Sequence, residues 1–200
     1  MMKVTALLSV CVLSAILMTG CAPKRHTHDY AQQQASGKVF TEVAGDVIPK
    51  GLGVVHVLTS LKTHPAGFYP LESVDSHHGS DHYPFVLVIG EQAATLNVTG
   101  VNADTPKYAP DGSTPKDPEA GPGMRYTLDK RLSLKPGAYD IRLELPDDNA
   151  SAVARISIVE GKAAVVEFRP IYKMKDLPVR MQSYRKGVSS LEVYVDGKKH

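Results

Sequence analysis

The chain has 200 residues, with 23 Lys and Arg against 21 Asp and Glu, so its formal net charge is only +2. That balance argues against a nucleic-acid partner, which needs a strongly basic face, and its two cysteines, Cys11 and Cys21, are too few for a disulfide framework. With no Trp and four Phe, a core has to be assembled from Val, Leu, Ile and Tyr, a palette suited to strands.

The first element is residues 1–21. Lys3 supplies a basic start, residues 4–18 an apolar run, and Thr19-Gly20 the small residues next to a cleavage point. The run is shorter than the roughly 20 apolar residues that cross a bilayer and has no basic flank on its far side, so it predicts an export signal rather than a span. Leu17-Met18-Thr19-Gly20-Cys21 resembles the bacterial lipobox, with Met18 where that family prefers Leu. The resemblance implies removal of residues 1–20, lipidation of Cys21 and a lipid anchor in the cell envelope. Ala22 after the cysteine, where Asp would retain a lipoprotein at the inner membrane, implies the outer membrane. Cys11 falls in the removed segment and Cys21 carries lipid, so the folded part is expected to have no thiol chemistry. Residues 21–37, with Gln32-Gln33-Gln34 and almost no aliphatic side chain, read as a flexible tether.

Residues 38–200 read as a single β domain. Strand signals occur at 38–43 and 53–59, the second carrying His56 inside an apolar run and so expected to be a partly buried strand histidine. Residues 60–83 read as an irregular loop interrupted by Pro65, Gly67, Pro70 and Gly79. The apolar run 85–89, the turn Gly90-Glu91-Gln92 and the segment 94–101 predict a hairpin whose first strand is buried on both faces. Five prolines between 102 and 123 predict an exposed excursion capable of meeting a partner. From 126 to 170 the pattern is clearest. Tyr139, Ile141, Leu143 and Leu145 alternate with Asp140, Arg142 and Glu144, and Ala154, Ile156 and Ile158 alternate likewise, as do Ala164, Val166 and Phe168. Three successive antiparallel strands are expected, with the alternating apolar set facing inward. Leu191, Val193 and Val195 predict a last strand with an unassigned partner.

Short strands with turn punctuation and no βα alternation predict an all-β, antiparallel sandwich with long loops. Leu134-Lys135-Pro136-Gly137-Ala138-Tyr139, the alternating strand after it and the later Glu160-Gly161-Lys162 resemble the transthyretin-like, PEGA and carboxypeptidase-regulatory-like sandwiches. The resemblance covers about a quarter of the chain. It implies an Ig-like or transthyretin-like domain that binds a partner, glycan or wall surface without catalysing a reaction.

For chemistry, the chain offers one local anomaly: His77, His78 and His82 beside Asp75 and Asp81. Imidazole and carboxylate donors suit Zn or Cu, so a metal site using His77, His78 and His82 with Asp81 or Asp75 is the alternative function. His26 and His28 are an exposed pair in the tether, and His64 has no evident partner. Ser80, Asp81 and His82 are neighbours, which does not make a triad. Asp147-Asp148 and Asp111-Gly112 read as turns. No nucleophile elbow, phosphate loop or paired-acid motif is present, so no cofactor is implied and the chain reads as non-enzymatic. Residues 173–186 carry five basic residues against Asp176. They read as a solvated connection, with contact to phospholipid headgroups or an acidic glycan as the functional alternative. The expectation is a lipid-anchored accessory, structural or protein-binding component of an envelope assembly.

Overall fold

Alternating residues and glycine-containing turns produce strands β1 (Thr41–Glu42), β2 (Gly53–Thr63), β3 (His82–Ile89), β4 (Gln92–Thr105), β5 (Gly121–Leu134), β6 (Gly137–Leu145) and β7 (Ala150–Ile158). They continue as β8 (Ala163–Tyr172), β9 (Met174–Lys175), β10 (Met181–Gln182), β11 (Val188–Val195) and β12 (Lys198–Lys199). The computed structural model describes residues 41–108, 110–113, 117–175 and 181–200. Cys21, the tether and its His26 and His28 lie outside the described residues. Among the described residues no helix is long and apolar enough to cross a membrane.

The protein is all-β, built as a curled sheet in the order β12-β11-β8-β2-β5-β4-β3-β6-β7, with β1 added to β5. β4 makes the bend. Its residues 92–99 pair with β3 and its residues 100–105 pair with β5, and Gly100 sits at the change of partner, where a Cβ would lie 2.6 Å from the Tyr126 ring. β7 and β11 lie against each other without a ladder between them. The core fills the curl: Val55, Val57 and Leu61 from β2, Phe85 and Leu87 from β3, Tyr126 and Leu128 from β5, Ile141 and Leu143 from β6, and Val166 and Phe168 from β8.

The sheet is mixed rather than purely antiparallel, because β8 runs parallel to β2. This corrects the expectation of three successive antiparallel strands. β6 and β7 do form an antiparallel pair, but Glu160-Gly161-Lys162 carries the chain from β7 across to the other side of the core. Gly161 N–H donates to Leu52 O at 2.9 Å and Val54 N–H donates to Lys162 O at 3.0 Å, fixing the crossing to the start of β2. β8 then takes β11 as its antiparallel partner, with Val193 opposite Phe168.

The inward register is as expected: Ile141, Leu143, Leu145, Ile156, Ile158, Val166 and Phe168 are buried, and Tyr139 packs part-buried against them. Two expected loops are shorter than the sequence suggests. β2 continues through Lys62 and Thr63, and β4 and β5 extend to Thr105 and back to Gly121. Prolines inside strands fall where no ladder bond is lost. Pro84, Pro122 and Pro170 each pair with one neighbour, at positions beyond the reach of the second.

Candidate functional site

The ladders bring the ends of β2, β4, β6 and β8 and the beginnings of β3, β5, β7 and β11 to the same end of the sheet. The loops that meet there carry the chemistry.

Residues 64–81 leave β2 and fold back on themselves through successive turns, with backbone bonds from Phe68 to Pro65, Glu72 to Tyr69, Ser76 to Ser73 and Ser80 to His77. Gly79 has φ +76°, and a Cβ there would lie 2.3 Å from Ala66 N, so the loop closes only with glycine at this position. Tyr126 OH donates to Ser80 O at 2.6 Å and Gly79 N–H donates to Thr63 Oγ1 at 2.9 Å, tying the loop to the core.

This folding brings His64, Glu72 and His78 together, with one ligand-type atom of each within 4.8 Å of the others. His64 Nε2 lies 3.2 Å and His78 Nδ1 3.8 Å from the same oxygen, Glu72 Oε1. Ser76 Oγ donates to that oxygen at 2.7 Å. The imidazoles meet edge to face, and Phe68 and Tyr69 pack against His64. The His64 side chain is 2% exposed, while His78 and Glu72 reach solvent at 13% and 21%.

Behind His78 stands Asp148, the last residue of the 3-10 turn Pro146–Asp148. Its carboxylate accepts from Val188 N–H at 2.7 Å, Tyr83 OH at 3.0 Å and His78 Nε2 at 3.2 Å. Gly187, with φ +81°, leaves the room: a Cβ there would lie 2.3 Å from Asp148 Oδ1. Burial opposes ionising Asp148, but the bonds from His78, Val188 and Tyr83 outweigh it and hold the carboxyl below its ordinary value. Burial likewise pulls His78 down, and its Asp148 bond with the charges of Asp148, Asp147 and Glu72 brings it above the ordinary imidazole value. Burial and the Asp148 charge push the Tyr83 phenol far up, so it remains a donor.

Lys62 forms a second polar centre under the same end. Fully buried, it donates to Thr105 Oγ1 at 3.0 Å, Glu119 O at 2.8 Å and Gly121 O at 2.6 Å, and its Nζ sits 4.9 Å from the Tyr184 ring centroid. Burial and the nearby Arg125 lower its pKa. The Glu119 carboxylate accepts from Tyr172 OH and Arg125, each at 2.6 Å. With every ammonium proton directed at an oxygen, Lys62 ties Thr105 at the end of β4, and Glu119 and Gly121 around the start of β5, to β2.

Beside the histidine loop opens a cleft of about 540 Å³, walled by Phe68, Tyr69, Lys107, Tyr108, Asp117, Lys175, Arg185 and Lys186 among others. Arg185 lies over Phe68, 5.0 Å from the ring centroid, and Lys186 is 6.0 Å from that of Tyr69. None of Lys107, Lys175, Arg185 and Lys186 forms an ion pair with a described carboxylate.

The histidines singled out in the sequence are dispersed. His77 contacts Asp147 at 3.1 Å, His82 lies exposed with Thr99 Oγ1 at 3.4 Å, and Asp75 and Asp81 are exposed. Only His78 of that set joins the three-residue group. His64, expected to lack a partner, has Glu72, and Asp148 is a buried acceptor rather than simple turn chemistry. Ser80 bonds the carbonyls of His77 and His82, not an imidazole. His56 is half-buried on its strand, bonded to Asp129 at 2.6 Å. Glu72 and Lys62 carried no motif; Leu61 shortly after the apolar run was the available signal that β2 goes on past residue 59.

No family model, curated protein or solved structure matches this chain.

Proposed function

We propose that this protein is a lipid-anchored, non-catalytic envelope component, held at the outer membrane through Cys21 and serving as an accessory or protein-binding part of a larger assembly. The observation that carries this reading is the basic start, short apolar run and Thr19-Gly20-Cys21 ending, followed by a polar spacer ahead of the first strand. Each buried methylene of a lipid chain contributes about 0.8 kcal/mol, so the several acyl chains carried on one lipidated cysteine anchor a domain without a protein span. The two-sided packing of strands around one core fits an Ig-like or transthyretin-like sandwich, the class that the turn at residues 134–139 resembles. Replacing Cys21 with Ser is expected to move the protein out of the membrane fraction. Continued membrane association of Cys21→Ser would contradict the anchor.

The cleft is the face we assign to binding. Its cations have no described acidic partner and its aromatic rings offer flat apolar surface, a combination that fits an acidic glycan. Arg185→Glu with Lys186→Glu is expected to abolish co-sedimentation with an acidic polysaccharide, and wild-type binding should weaken as salt rises. Equal binding by the wild type and the charge-reversed variant would refute this face.

A further inference from the structure

The structure assigns a divalent-metal site to His64, Glu72 and His78, for an ion of the zinc or copper class. The inference is independent of the anchor and of the cleft. A ring nitrogen facing a carbonyl oxygen has to donate, so the 3.0 Å contact of His64 Nδ1 with Pro65 O places that ring's proton on Nδ1. His78 Nε2 faces Asp148 Oδ2 at 3.2 Å, and a carboxylate accepts, so this ring's proton is on Nε2. The remaining nitrogens, His64 Nε2 and His78 Nδ1, are the two that converge on Glu72 Oε1.

Three electron-rich atoms directed at one another repel unless positive charge lies among them. One dication satisfies all three donors together. Ligand distances of about 2.0 to 2.2 Å in a tetrahedral site place donors roughly 3.3 to 3.6 Å apart, between the 3.2 and 3.8 Å of the two imidazole contacts with Glu72, and all three atoms lie within 4.8 Å of one another. The outer contacts are of the kind that orient ligands: a carbonyl on one imidazole, a buried carboxylate on the other and the Ser76 hydroxyl on Glu72. Two imidazoles and one carboxylate suit zinc or copper better than magnesium or calcium. The partial exposure of His78 and Glu72 gives the ion a route in and leaves a position for water.

The test uses the full chain purified in detergent, with His26→Ala and His28→Ala to remove the tether histidines, stripped with a chelator and titrated calorimetrically with Zn²⁺ and with Cu²⁺. One ion per chain is expected. Glu72→Gln and His64→Ala should each weaken binding at least about 100-fold, while His77→Ala and His82→Ala leave it unchanged. Circular dichroism checks the fold of each variant, and Glu72→Gln, nearly isosteric and at a partly exposed position, keeps the test valid where His64→Ala does not fold. Copper paramagnetic resonance should show two imidazole nitrogens in the parent and one in His78→Ala. Absence of stoichiometric binding, unchanged affinity in Glu72→Gln, or loss of binding in His77→Ala or His82→Ala would overturn the assignment.

Discussion

Asp148 is the residue on which the loop end of this protein turns, because one buried carboxylate receives the β11 backbone, the Tyr83 phenol and the His78 ring. Truncating it strands a buried N–H and a buried hydroxyl, each of which costs about 1 to 3 kcal/mol when left without an acceptor. Asp148→Ala should therefore lower the midpoint of urea unfolding strongly, and Asp148→Asn, which keeps an acceptor, should lower it less. Equal midpoints for Asp148→Ala and the wild type would show that the carboxylate is dispensable. Little of this was legible in the sequence. Asp147-Asp148-Asn149 has the composition of any turn, and adjacency grouped His77, His78 and His82, whereas consecutive loop residues point in different directions: His77 goes to Asp147 and His78 to Asp148. His64 was missed because its partner Glu72 meets it only after the turns closed by Phe68 N–H on Pro65 O and by Glu72 N–H on Tyr69 O.

At the scale of elements, period-two alternation read the faces of β6, β7 and β8 correctly, because a half-buried strand has only two sides to choose between. Which strands pair is a different question. Alternation is blind to it, and so the parallel β2–β8 pairing and the crossing after β7 emerged only from the structure. Strand ends were misplaced where a polar residue is buried with partners drawn from elsewhere. Lys62 falls in the segment 60–83 that reads as an irregular loop, yet it continues β2 by donating to Thr105, Glu119 and Gly121. Lys62→Met should cost about 2 to 4 kcal/mol by leaving those oxygens without a donor, seen as a lower unfolding midpoint together with faster proteolysis in residues 106–120. A variant as stable and as resistant as the wild type would mean that packing alone holds this loop. In the opposite register, Ile141→Asp places an unpaired carboxylate in the core, a change expected to cost more than about 4 kcal/mol and abolish cooperative thermal unfolding. An unchanged melting temperature would refute the inward face.

For the whole molecule, the β domain presents one end where the histidine loop, the basic-aromatic cleft and the Lys62-held loop come together, and the proposed anchor sits on the N-terminal side of β1. The all-β class was legible from composition and turn spacing; the cleft was not, since Phe68 and Tyr69 lie in a different loop from Lys175, Arg185 and Lys186. The account rests most heavily on processing and acylation at Cys21. Intact mass spectrometry of the native protein extracted from the cell envelope tests it directly. The predicted species begins at Cys21, lacks residues 1–20 and carries a thioether-linked diacylglycerol with an acyl chain on its amino group. A chain that still begins at Met1, or a Cys21 with a free thiol, would contradict it.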